Sequence, residues 1–169
     1  EEVSFDLTAF DELAQPPAPA AEPTAPIEAG EMAEMAADAD QYKQVGPLRI
    51  GLTLFNIYLN EADEWSRRLG VELAEWLHEL DRPVSESTVA LAHSLAGSSA
   101  TVGYAELSTL ARTLEHALAR ARRQRSAGAE EAALFNAAAE EIRRLLHQFA
   151  AGFLPDANAE LRHRLDELA

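Results

Sequence analysis

From residue 54 to residue 151 apolar side chains recur every three to four positions, the period of helices that turn one face to a core. Phe55, Tyr58, Leu59, Ala62, Trp65, Leu69, Leu73, Trp76, Leu77 and Leu80 form the first stripe. They predict a long helix over 54–81, stopped by Asp81-Arg82-Pro83 because proline cannot continue the hydrogen-bond ladder. A second helix is expected over 86–101, with Ser85 or Ser87 as its cap and Gly103 closing it in the left-handed position. Leu107, Leu110, Ala111, Leu114, Leu118 and Ala121 predict a third over 104–126, and its arginine-rich last turn complements the carbonyl end of the dipole. After the turn at Gly128, Leu134, Ala138, Ile142, Leu145 and Phe149 predict a fourth, opened by Glu130 and Glu131 and running to about 151. A short helix around 158–168 follows Pro155.

Four amphipathic helices joined by short turns specify an all-α fold, an antiparallel up-down four-helix bundle with an extended N-terminal segment and a short C-terminal helix. Neither a strand pattern nor an internal repeat competes. Val45-Gly46-Pro47-Leu48-Arg49-Ile50-Gly51 reads only as an extended or turn-rich lead-in. The expected organisation is a linker over 1–40, the bundle over 41–155, and a helical extension or linker over 156–169.

Charge sharpens that division. The 169-residue chain carries −15, of which residues 1–40, with eleven acids and no Lys or Arg, hold −11. Prolines 16, 17, 19, 23 and 26 exclude regular structure there, so this segment reads as an acidic, disordered tether. The remaining eighteen acids face fourteen bases, which leaves no basic footprint for nucleic acid. Without cysteine there is no disulfide or thiol chemistry. No apolar run is long enough to span a bilayer, and the Glu1-Glu2-Val3 start lacks both a signal peptide and an initiator methionine. The expectation is a cytoplasmic piece of a longer protein.

The candidate chemistry rests on histidine. A di-metal bundle needs two Glu-x-x-His spacings on its core helices, and within the four bundle helices Glu75 to His78 is the single one, on the polar side of its helix. His116, His147 and His163 stand among long side chains such as Arg112, Arg120, Arg143 and Arg144, on the solvated sides of their helices. His93 differs. It falls nearly opposite the Leu91/Leu95/Val102 face, among Ala90, Ala96, Gly97 and Ala100, on a patch trimmed almost to the backbone. Gly97, one turn later, lowers helix propensity by about 1 kcal/mol relative to Ala, as a position does where something approaches the backbone closely. Neutral imidazole is a good nucleophile near pH 7. With no base, acid or metal expected beside it, this histidine is suited to accepting a group from a partner and passing it on. An incidental surface histidine in an alanine-rich helix explains the spacing equally well.

The stretch from Ala92 to Leu118 resembles the histidine phosphotransfer (HPt) domain, through His93, Leu95, Gly97, Ser98, Gly103, Leu107, Leu110, Ala111, Leu114 and Glu115. The resemblance covers roughly 54–151 and implies a four-helix bundle. A narrower likeness runs through Phe55 to Leu69, which is similar to the N-terminal modules of chemotaxis-type hybrid histidine kinases of type IV pilus and twitching-motility systems.

The resemblance implies that His93 accepts and donates a phosphoryl group, in exchange with a response-regulator receiver aspartate or a histidine kinase domain. Ala90, Ala96, Gly97, Ser98, Ala100 and Thr101 then form the phosphoryl environment and docking surface. It implies no cofactor of the domain's own, Mg²⁺ only through the partner, and no small molecule bound alone. One position departs: the family usually has Lys three residues after the histidine, and here that residue is Ala96. Phosphoryl transfer relies on positioning and electrostatic stabilisation, so Ala96 predicts slowed transfer or a labile phosphohistidine. It also sustains the alternative, a degenerate HPt-like module that docks partners without being phosphorylated. An autonomous enzyme is excluded by the absence of an ATP-binding glycine loop.

Overall fold

A computed structural model describes residues 41–124 and 127–169. The acidic segment 1–40, expected to be a linker, lies outside the described residues. Two short strands, β1 (Tyr42–Val45) and β2 (Leu48–Gly51), precede four long helices, α1 (Leu52–Trp76), α2 (Glu86–Thr101), α3 (Ala105–Gln124) and α4 (Ala129–Ala150); a short α5 (Ala159–Asp166) ends the chain. Packing runs in a ring, α1 against α2 and α4, and α3 against α2 and α4, which is the expected antiparallel bundle.

The extended lead-in is a β-hairpin, which the absence of a visible strand pattern did not anticipate. Tyr42 pairs with Gly51 and Val45 with Leu48, in antiparallel register. Four-residue strands are too short to show alternation, yet Val45 and Ile50 are both buried. Gly46 turns the hairpin at φ +54°, a conformation that suits glycine. The hairpin lies over one end of the bundle, where Leu48 meets Gly103 and Leu154 meets Gly46.

Beneath it Phe149 collects three rings: Tyr104 stacks on it at 4.8 Å, Tyr58 meets it edge-on at 5.5 Å and Phe55 tilts against it at 5.6 Å. Such pairs add to simple area burial. Tyr58 also shares a hydrogen bond of 2.9 Å with Ser99, which joins α1 to α2 inside the core.

The first helix begins earlier and ends five residues sooner than its apolar period implies. Leu77 and Leu80 continue the stripe, but the chain turns after Trp76, whose indole N–H donates to the Arg82 carbonyl at 2.8 Å. That bond stabilises a tight turn before Pro83 in place of another helical turn. At the far end of the chain, α5 packs on α3 and α4 with Leu165 fully buried. Asp166 accepts from Thr113 at 3.2 Å, and Glu106 pairs with Arg162 at 3.0 Å.

Candidate functional site

The site is built on α2. Ser85 caps it by accepting from the Thr88 amide, and Ser85, Ser87 and Thr88 hydroxyls all donate to Glu72 of α1, which pins the start of the helix. Leu91, Ala92, Leu95, Ala96 and Ser99 then face inward. His93 faces outward, its side chain 70 % exposed, with Ala90, Gly97 and Ala100 exposed around it. A Cβ built on Gly97 meets nothing within 4 Å, so no packing inside this chain requires the glycine. The clearance around His93 faces solvent.

Ala96 is not part of that clearance. It is fully buried in the seam between α2 and α3, where its carbonyl accepts from the Ser108 hydroxyl at 2.8 Å. The helical wheel puts Ala96 at the margin of the apolar face, and α3 packs closely enough to cover it. Ser98 is half-buried and Thr101 exposed, and both hydroxyls donate to carbonyls of their own helix, Leu95 and Gly97. Ser98 and Thr101 therefore spend their hydroxyl protons on α2 itself.

His93 also has the acidic neighbour that its local sequence does not reveal. Glu115, at the middle of α3, places Oε1 3.0 Å from His93 Nδ1. Its side chain is only 18 % exposed, and its other oxygen is buried without a hydrogen-bond partner. An ionised carboxylate can only accept, so Nδ1 carries the ring proton and donates it. Nε2, on the far side of the ring, keeps its lone pair. This is the arrangement of a held, neutral nucleophile: one nitrogen fixed by a carboxylate, the other open to attack an electrophile.

The other four histidines have no such setting. His78, His116, His147 and His163 are all exposed, and the nearest carboxylate contact among them is His163 to Glu167 at 3.8 Å. Among the described residues no group of three His, Asp or Glu side chains could hold a metal ion.

A comparison with protein families matches residues 53–168 to the Hpt domain. The chain belongs to the Hpt family. An Hpt domain has a histidine phosphotransfer role in a phosphorelay, and its partners are the receiver domains and kinases of two-component systems. No curated protein matches the chain. The family match reaches from the first turn of α1 to the end of α5, so the Hpt unit includes the helix that follows Pro155. No helix of the Hpt domain, among the described residues, is long and apolar enough to cross a membrane.

Proposed function

We propose that this Hpt domain carries its phosphoryl group on Nε2 of His93. The observation behind this reading is the 3.0 Å bond from His93 Nδ1 to Glu115 on an otherwise exposed ring. The Nε2 lone pair attacks the phosphorus of a receiver's aspartyl phosphate, or of ATP held by a kinase domain. The N–P bond forms as the P–O bond to the aspartate carboxylate or to ADP breaks. The ring becomes a phosphoimidazolium whose Nδ1 keeps its proton, hydrogen-bonded to the Glu115 carboxylate, so the positive charge that develops on the ring meets a fixed negative one. Return of the group to a receiver aspartate reverses the step. Ala90, Gly97 and Ala100 leave room for the partner's loops, and any Mg²⁺ the transfer uses is bound by the partner.

In this reading the unit is a cytoplasmic module of a hybrid sensor kinase, similar to the tandem N-terminal modules of type IV pilus systems, with residues 1–40 as an acidic tether. A second reading, docking without phosphorylation, is favoured by the lack of a cation at Ala96 and by the burial of that position. Incubation with a phosphorylated receiver separates the two. Acid-labile, alkali-stable label on the wild type and none on His93→Gln supports transfer. Receiver binding with no label from any cognate donor supports the docking module and overturns the transfer reading.

A further inference from the structure

Phosphorylation of Nε2 places nearly two negative charges close to the Glu115 carboxylate that already holds the ring. Transfer needs a cation to balance them, and α2 supplies none, because Glu86–Thr101 contains neither lysine nor arginine.

The neighbouring helix does. The register of the α2–α3 seam is set at two points, Glu86 to Arg122 at 3.0 Å and His93 to Glu115 at 3.0 Å. Seven residues forward along α2 correspond to seven residues back along α3. Further along the seam Ser108 meets Ala96, so Arg112, between Ser108 and Glu115, lies between the levels of Ala96 and His93. The Ser108 hydroxyl on the Ala96 carbonyl, 2.8 Å away, confirms that α3 lies against this part of α2. Arg112 stands between Ser108 and Glu115 at spacings of four and three, so it shares their α2-facing stripe at its solvent edge. It is exposed, and among the described residues no carboxylate or carbonyl pairs with it. The other arginines of α1 and α2's seam are engaged: Arg67 with Glu64, Arg68 with Glu72 and Arg122 with Glu86.

We propose that Arg112 is the phosphoryl-binding cation of this site, reaching along the seam past Ala96 to the phosphoryl oxygens on His93. The inference rests on the reading of His93 as the phosphorylated residue. Along the helix axis Arg112 lies within about 4.5 Å of the level of His93, and close-packed helices are roughly 8–10 Å apart, a span suited to the longest basic side chain. Ala96 is short and buried and Ala100 is equally short, so no long α2 side chain stands in the path. The planar guanidinium offers paired donors that match a phosphoryl group.

Phosphoramidate serves as a donor without a partner protein: Nε2 attacks its phosphorus, the N–P bond to the histidine forms, the P–N bond of the donor breaks, and ammonia leaves. We expect Arg112→Gln to slow the initial rate of labelling about tenfold, the effect of losing one hydrogen bond to a charged group. Arg112→Lys should retain most of the rate, and Arg112→Glu should fall below Arg112→Gln. Arg123→Gln, on the same helix but away from the site, is the control, and thermal melting checks that all variants fold. Labelling of Arg112→Gln at the wild-type rate overturns this proposal alone, as does Arg112→Lys labelling as slowly as Arg112→Gln. Absence of label on the wild type overturns both this proposal and the assignment of His93.

Discussion

Glu115 Oε1 lies 3.0 Å from His93 Nδ1, although twenty-two residues and a helix-to-helix turn separate them in the chain. The turn makes the meeting possible. Val102 ends α2, Gly103 takes φ +83° and Tyr104 starts the return, its amide bonded to the Ser99 carbonyl. The tight reversal brings α3 back antiparallel, in the register that sets Glu115 beside the histidine. The carboxylate selects which ring nitrogen is free, and in the proposed transfer that free nitrogen is the atom that takes the phosphoryl group.

Glu115 acts by holding the tautomer, so its loss should appear in the ring before it appears in the fold. Glu115→Ala is expected to slow phosphoramidate labelling roughly 10- to 100-fold, the usual effect of removing a group that orients a reacting imidazole. Glu115→Gln, which still accepts a hydrogen bond but carries no charge, should fall between that variant and the wild type. Nitrogen NMR of His93 provides the check: the wild type shows the Nδ1–H tautomer, and Glu115→Ala shifts toward Nε2–H.

Gly97 separates stability from docking. A Cβ there meets nothing within 4 Å and the residue sits in the middle of α2. Gly97→Ala should therefore raise stability by about 0.5–1 kcal/mol, through helix propensity alone. Gly97→Leu should leave phosphoramidate labelling intact while receiver-dependent transfer drops about 100-fold, because a misplaced partner loses alignment. Equal receiver transfer in Gly97→Leu and wild type would show that partners do not approach over this surface.

Ala96 and Ala100 look alike in sequence and differ in burial, the first wholly covered by α3 and the second exposed. Ala96→Leu should destabilise the bundle by about 1–3 kcal/mol through overpacking. Ala100→Leu should stay within about 0.5 kcal/mol of the wild type. Urea unfolding of the two variants, compared at equal m-value, measures the difference.

Tyr58 gives the fold a limit at high pH. Burial pushes its phenol from the ordinary 10 up to about 12, only partly offset by the bond to Ser99. Burial raises Tyr104 as well. In the unfolded chain these phenols ionise first, so the native state binds more protons above pH 10 and its stability falls as pH rises from 10 toward 12. Below pH 10 the contribution is fully present. Tyr58→Phe should flatten the decline of melting temperature over that window, and tyrosinate absorbance should appear together with unfolding.

Much of this protein is written in its local periodicity. The stripes from Phe55 to Leu73, from Leu107 to Ala121 and from Leu134 to Phe149 placed the helices, because burying one face of a helix is a property of spacing along one segment. The small residues around His93 distinguished it from four other histidines for the same reason. The hairpin was hidden because four-residue strands are too short for alternation to register, and the end of α1 because the Trp76 bond to Arg82 lies outside any periodic pattern.

The sequence by itself determined the helices, the turn at Gly103 and the identity of the exposed histidine, since each follows from residues close together in the chain. Tertiary structure decided what stands beside that histidine. The α2–α3 register buried Ala96, brought Glu115 to Nδ1 and set Arg112 between the levels of His93 and Ala96. Register depends on how two faces interlock across a seam, which no single helix encodes. His93 was therefore legible from its own helix, whereas the charges around it belong to the packing.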